Sequence, residues 1–424
     1  MMLKPPALRS ALLSGVAAAL ILAHATPAAA TVVNNPTAAD RAIPRHDHII
    51  TIIEKNKSAA QIVGQSFAPN INSYASTYGS ASNYYGVVHP SEGNYVAMIG
   101  GSTFGINNDD AYYCSAGSKA PDCFNLAQPG YANHTISEPS LLDQLTATGR
   151  TFKGYYENLP AHPKAVNSAP LPSTATPNPP STSTNTLYAS KHNAFINFAS
   201  VQNDPNIGSK IVGFSGLAAD LASGTFANYV HIVPNQCNEM HGLNAGSAPN
   251  CDYGAFGVNT ADANTQTLIS QGDKVIKGLV DQITAAPFWN QGNNAIVLSW
   301  DEDNFVAPFT QGCCGSDPAS AANFGGGRVA NVVITSKGPR GVTDNTPYNH
   351  YSFLRTVEDA FGLYDPSQYS AASAGLAGYL NEAGDTVNGV RAQTQLFAAN
   401  VPEPASLALL AMGVTGCILR RRRG

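Results

Sequence analysis

Charge is scarce in this sequence. Asp, Glu, Lys and Arg make up 12% of the 424 residues, lysine is sparse, and the formal net charge is −5. Such a surface argues against polyanion binding, so no nucleic-acid partner is expected. No Cys-x-x-Cys spacing occurs, which argues against a zinc–thiolate centre. The apolar stretch near the C-terminus, Ala405 to Leu419, falls short of the roughly 20 residues of a bilayer-spanning helix, although flanking arginines can snorkel. Gly, Pro, Ser, Asn and Thr are abundant instead, as in an exported, loop-rich protein. The length suits one large α/β domain or two ordinary ones.

Both ends read as processing segments. Residues 1–30 carry Lys4 and Arg9, an apolar run from Ala11 to Ala23, and a small-residue site at Ala28-Ala29-Ala30, the pattern of a secretory signal peptide. Residues 401–424 place Pro402-Glu403-Pro404, an apolar stretch and the arginines Arg420 to Arg423 in that order. This tail resembles the PEP-CTERM sorting signal of Gram-negative bacteria. The resemblance implies export, transient membrane anchoring and a sorting peptidase as partner, hence a secreted or cell-envelope location. Cysteine usage agrees with export. Cys114 and Cys123 bracket one polar loop and Cys237 and Cys251 another, as local disulfides would. The adjacent Cys313-Cys314 pair admits a vicinal bridge or two bonds to other partners.

Between the ends, short apolar runs alternate with helical patterns. HIITIIEKN, His48 to Asn56, reads as a fully buried parallel strand, and NYVHIVPN, NAIVLSWDED and RVANVVIT as three more. SLLDQLTATG has a Ser cap, leucines at helical spacing and a Gly stop. DKVIKGLVDQITAA, Asp273 to Ala286, and HYSFLRTVEDAFGL, His350 to Leu363, also read as helices. The alternation predicts an α/β domain over residues 31–400, a mostly parallel central sheet with helices on both faces. The Pro/Ser/Thr-rich stretch 160–186 reads as an irregular excursion within it.

Open α/β sheets bind ligands at the carboxyl ends of their strands. Here those ends carry Glu54 and Asn56; then Glu239 and His241; then Asp301, Glu302 and Asp303; and the last helix opens at Asn349-His350. Each alone reads as a solvated or capping residue, but together they form a donor set suited to Ca²⁺, Mg²⁺, Mn²⁺ or Zn²⁺. In VVHPSEGNY, Ser91 precedes an expected helix. Alone it reads as an N-cap; beside the donor set it reads as a nucleophile facing an anion at the helix start. His46, Asp47 and His48 read as polar strand entry, and Gly325-Gly326-Gly327 as a loop. Asp109-Asp110 with Tyr112 and Tyr113 reads as a surface loop, substrate contact remaining open.

IIEKNKSAAQIVG, the segment through HPSEGNY, LLDQLTATGRTFKGYYENLP, PNQCNEMHG, VLSWDEDN and YNHYSFLRTVEDAFGL stand in the order found in a bacterial phosphoesterase family. The chain resembles that family, which includes secreted acid phosphatases and phospholipases C of the alkaline phosphatase-like superfamily. The resemblance implies an alkaline phosphatase-like three-layer sandwich and metal-assisted hydrolysis of a small phosphate ester through a phosphoserine. It places Ser91 as nucleophile, with His350 and His241 as catalytic histidines. Asn94, His89, Lys191 and His192 fall on substrate-binding positions, and Asn56, Asp301, Glu302, Glu54 and Glu239 on those of the divalent metal. Phosphomonoester hydrolysis is the expected activity; a phospholipase C-type diesterase and a catalytically silent envelope binding protein are the alternatives.

Two departures stand out. The family pattern has Glu-Asn where this chain has Lys55-Asn56. Alternation along an extended strand would turn Lys55 away from Glu54 and Asn56; otherwise Lys55 points inward and replaces a cation. Glu92-Gly93 stands where Leu-Pro is common, with Gly93 expected to loosen the turn holding Ser91.

Overall fold

Isoleucine at four of seven positions gives β1, His48–Glu54, no wet face, and all four isoleucines are buried at the middle of the sheet. The computed structural model describes residues 43–113, 131–159, 187–306, 311–316, 325–380 and 389–399. The expected signal peptide, the C-terminal tail, the 160–186 excursion, Cys114 and Cys123 lie outside these residues. The remaining strands are β2 (Gly79–Tyr85), β3 (Ala111–Tyr112), β4 (Ala132–Asn133), β5 (Phe152–Tyr156), β6 (Ile211–Gly213) and β7 (Tyr229–Val233). They continue with β8 (Asn294–Trp300), β9 (Arg328–Thr335), β10 (Val342–Asp344) and β11 (Tyr348–Asn349).

The main sheet runs β10-β2-β9-β8-β1-β7-β5-β6, with β11 also paired to β2; β3 and β4 form a separate pair. β1 lies parallel to both neighbours, Ile50 standing opposite Val230 of β7 and Ile296 of β8. The carboxyl ends of β1, β7 and β8 therefore open on one edge. One helical group, Glu92–Gly100 with Leu141–Ala147 and His350–Phe361, packs together on the sheet; a second is built around Pro69–Thr77, Phe214–Ser223 and Ala263–Ala285. β5 touches members of both groups, which makes three α/β layers.

The expected mostly parallel sheet is present, but RVANVVIT departs from it. β9 is antiparallel to β8 and to β2. An apolar run reports burial and carries no information on direction. The reversal brings Gly325-Gly326-Gly327, just before β9, to the edge where β8 ends. A Cβ on Gly326 would stand 2.4 Å from the Gly86 carbonyl carbon, and one on Gly327 (φ 72°) 2.0 Å from Asp303 Oδ2. The glycines thus let two backbones and a carboxylate close up beside the strand ends.

The long helix also differs. It begins at Ala263, not Asp273, and Asp262 caps it by accepting from Thr265 N at 2.7 Å. Asp273 is buried within this helix and caps another one. It accepts from Ile71 N at 2.9 Å and from Asn70 Nδ2 at 2.6 Å, at the first turn of Pro69–Thr77. Asp273→Ala would leave those buried donors unmatched and is expected to cost about 1–3 kcal/mol. Urea unfolding of the two proteins checks this; equal midpoints would refute it.

Candidate active site

Each strand that ends at the edge beside β1 hands over to a loop carrying polar side chains. After β1, the backbone turns at Asn56, whose φ of 44° is left-handed and whose N–H donates to Asp301 Oδ1 at 3.1 Å. That turn ends the strand alternation. Lys55 and Asn56 both line the same cavity, whereas Glu54 is fully buried and absent from the lining. Of the two orientations the sequence allowed, the inward Lys55 is the one observed: its ammonium donates to Ser91 Oγ and lies 3.7 Å from Asp301 Oδ2.

Ser91 sits at the start of the Glu92–Gly100 helix with helical dihedrals, and its side chain makes no capping bond. Its hydroxyl turns instead to Glu302 Oε1, to which it donates at 3.0 Å. Gly93 does not loosen this turn. A Cβ there would stand 2.6 Å from Val88 Cγ1 and 2.8 Å from the Ile106 carbonyl, so glycine is what lets the turn pack. Asn94 ties the same turn down: Oδ1 accepts from Val87 N and Val88 N, and Nδ2 donates to Val88 O and Glu302 Oε2.

Glu302 gathers most of the site. Besides Ser91 and Asn94 it accepts from Asn56 Nδ2 at 2.7 Å, and His89 Nδ1 lies 2.8 Å from its Oε2. His89 reaches Asp303 through Nε2 at 3.1 Å and stacks on Phe305. Burial disfavours a charged His89, but Glu302 and Asp303 outweigh it and hold the imidazole up at about 10. Burial likewise pushes Glu302 up, yet the His89 charge prevails and keeps it ionised below the usual glutamate range. Asp301 is raised, burial outweighing the opposing pull of Lys55.

The other expected residues fall into two groups. Lys191 and His241 line the cavity with Lys55, Asn56 and Ser91. Lys191 is paired with Asp109 Oδ2 at 2.9 Å; burial opposes its charge, but Asp109 holds the ammonium above its ordinary value. His241 Nδ1 donates to the Gly242 carbonyl at 2.8 Å, which leaves Nε2 as an acceptor, with the Tyr253 hydroxyl 3.5 Å away on the cavity wall. Burial keeps this ring neutral. Glu54, Glu239, His192 and His350 are buried and absent from the lining. His350 is a strut: Nε2 donates to the Asp301 carbonyl at 2.6 Å and Nδ1 meets Tyr84 Oη, with burial holding the ring down at about 4. His192 pairs with Glu239 at 3.0 Å and stacks on Tyr95. Glu54 has no hydrogen-bond partner on either oxygen among the described residues, and burial with the neighbouring Glu239 raises it strongly.

Three features were not anticipated. Asp109 and Tyr113 are buried rather than on a surface loop; Asp109 anchors Lys191 and accepts from Glu92 N. Lys57 joins the lining, buried, with its ammonium lowered to about 7 by burial and by Lys55. Tyr253, Phe256 and Phe305 form an apolar wall on a cavity of about 350 Å³, and Phe256 is 76% exposed at its mouth. Among the described residues three lysines, Lys55, Lys57 and Lys191, face one small cavity, a concentration that their spacing in sequence does not reveal.

The donor set does not fit a divalent ion beside Ser91. The Lys55 ammonium lies between Ser91 and Asp301, and Asn56 turns its NH₂ group, not its carbonyl, to Glu302. Among the described residues no three His, Cys, Asp or Glu side chains converge as metal ligands.

The model of the Phosphoesterase family matches residues 53–364, and that of the PEP-CTERM protein-sorting motif residues 400–423. A phosphatidylinositol-3-phosphatase of Mycobacterium tuberculosis is 27% identical over 76% of this chain and 79% of its own. An acid phosphatase of Aspergillus fumigatus is 24% identical over 72% of this chain; the match spans 55% of that protein, little more than half its length. Among solved structures, a protein of the alkaline phosphatase superfamily from Vibrio parahaemolyticus superposes with a TM-score of 0.42 at 11% identity, covering 82% of this chain and 71% of that one.

The His89 pair has a pH signature. The folded value near 10 lies above the ordinary histidine value of 6.5, so the bound proton favours the fold. The contribution is complete below the unfolded value and is lost as pH rises through the folded one. Stability of the wild type should therefore decline between neutrality and about pH 10 more steeply than that of His89→Gln, read from urea midpoints across that range. Parallel profiles would refute the assignment.

Proposed function

The chain belongs to the Phosphoesterase family and is a hydrolase of phosphoric ester bonds, and we propose that within this class it is an exported acid phosphatase working through a phosphoserine on Ser91. The observation that carries this reading is the setting of Ser91 Oγ. It donates to an ionised Glu302 and accepts from Lys55, on a cavity whose walls add Lys57 and Lys191. The lysines supply the positive field that a phosphate dianion needs. Ser91 attacks phosphorus, its proton passes to Glu302, and the ester P–O bond breaks with its electron pair leaving on the alcohol oxygen. Water then attacks the phosphoserine and gives a proton to His241 Nε2; the Oγ–P bond breaks, its electron pair returns to Ser91 Oγ, which takes back the proton held by Glu302, and inorganic phosphate leaves.

The cavity favours a single phosphate carrying an aromatic or acyl-linked leaving group. Phe305 and the exposed Phe256 offer an apolar wall beside the charged floor. The mycobacterial relative, named for a phosphorylated lipid, supports the same class. The PEP-CTERM motif marks the chain as exported and associated with the cell envelope. In the proposed mature form the signal peptide, residues 1–30, is removed and the catalytic domain occupies residues 31–400.

Hydrolysis of p-nitrophenyl phosphate tests the reading. Ser91→Ala should lower kcat by about 1,000-fold or more. Phe256→Ala should raise KM by up to about 10-fold with kcat unchanged, as lost apolar contact predicts. Faster turnover of bis-p-nitrophenyl phosphate would make the chain a diesterase, turnover of neither ester would leave a binding protein, and full activity of Ser91→Ala would remove the serine from the chemistry.

A further inference from the structure

We propose that Lys55 is a built-in substitute for a metal ion: its ammonium supplies the positive charge between Ser91, Asp301 and Glu302, so the chain handles phosphate without a divalent cation at that place. The inference rests on the phosphatase reading above for its catalytic meaning, but its structural basis is separate.

Lys55 is 1% exposed, and its ammonium ends on the serine hydroxyl and 3.7 Å from Asp301 Oδ2. A lysine is buried this deeply only where partners meet its charge. The backbone enforces the placement, because the left-handed Asn56 and its N–H bond to Asp301 turn Lys55 inward at the strand end. The neighbourhood is also balanced without an added ion. Each acid around Ser91 already has a cation beside it: Asp301 has Lys55, Asp109 has Lys191, and Glu302 and Asp303 share His89. A divalent ion placed beside Ser91 would face an ammonium at contact distance, a repulsion that a low-dielectric site magnifies.

The chemistry follows from donor geometry. An ammonium offers three N–H groups and no acceptor, so it orients the Ser91 lone pairs and leaves the hydroxyl proton directed at Glu302. As the Oγ–P bond forms and the ester P–O bond breaks, Lys55 keeps its protons and donates to the Ser91 oxygen and to a non-bridging phosphoryl oxygen. The serine proton moves to Glu302 and the electron pair leaves with the alcohol.

The test uses the full chain, stripped with EDTA and then offered Mn²⁺ or Zn²⁺, with bound metal measured by mass spectrometry and turnover measured on p-nitrophenyl phosphate. The wild type should bind no stoichiometric metal and keep its activity in EDTA. Lys55→Met should lose about 100-fold in kcat, as for removal of one charge-stabilising donor. Lys55→Glu should take up one divalent ion per chain and be inactive in EDTA. One tightly bound ion in the wild type, with activity lost to EDTA and restored by that ion, would overturn the proposal. If no variant turns over either ester, the phosphatase reading fails by itself, and metal stoichiometry still decides on Lys55: none in wild type and one in Lys55→Glu supports it, one in the wild type refutes it. The wild-type arm needs no variant to fold.

Discussion

A buried, ionised carboxylate holds this site together. Glu302 receives the Ser91 hydroxyl, the Asn56 and Asn94 amides and the His89 ring, from the end of β1, the turn after β2 and the helix that follows. A carboxylate taken out of water must be met by charge and hydrogen bonds, or it takes up a proton instead. Glu302 remains charged because His89 remains charged, and each depends on the other. Three chain segments are thereby fixed relative to one serine, and the sheet supplies only the platform.

Below this layer lies a second one of opposite character. Glu54 and Glu239 are raised by burial, while His192 and His350 are pushed down, so the deeper groups are neutral. Charge is concentrated at the cavity surface, where a phosphate would meet it, and the neutral polar groups are buried outside the lining. Lys55 joins the two layers, rooted at the strand end and reaching Ser91.

Much of this arrangement is readable in the sequence. Four isoleucines define β1, the acidic run after Trp300 marks the end of β8, and Asn349 announces a helix that it caps through Tyr351 N and Ser352 N. Those features are local, and local patterns translate directly into structure. What was hidden depends on pairs distant in sequence. Asp273 looks like a helix start and instead caps the helix at Pro69. Asp109 looks like a loop residue until Lys191 is folded against it. β2 and β5 carry tyrosines, serines, glycines and a lysine instead of an aliphatic run, so their strand character comes from their neighbours. The direction of Lys55 was the hardest to read, because it turns on one backbone angle at Asn56 that no side-chain period encodes.

Oxidation and site geometry are linked through two of the loops. The Cys237–Cys251 disulfide closes the segment that carries His241 to the cavity, with Tyr253 just beyond it. In the chain-entropy account, closing a loop of about 15 residues stabilises the fold by about 3 kcal/mol. Cys313 and Cys314 form a vicinal bridge, the first of the two pairings open to them, and both of their carbonyls accept from Asn349 Nδ2. Asn349 caps the helix whose first residue, His350, supports the Asp301 carbonyl. One disulfide therefore braces the histidine that lines the cavity, and the other the histidine on the Asp301 carbonyl. Both bridges require an oxidising compartment, the same condition that a PEP-CTERM tail implies, so the address carried at the end of the chain and the rigidity of its site answer to one environment.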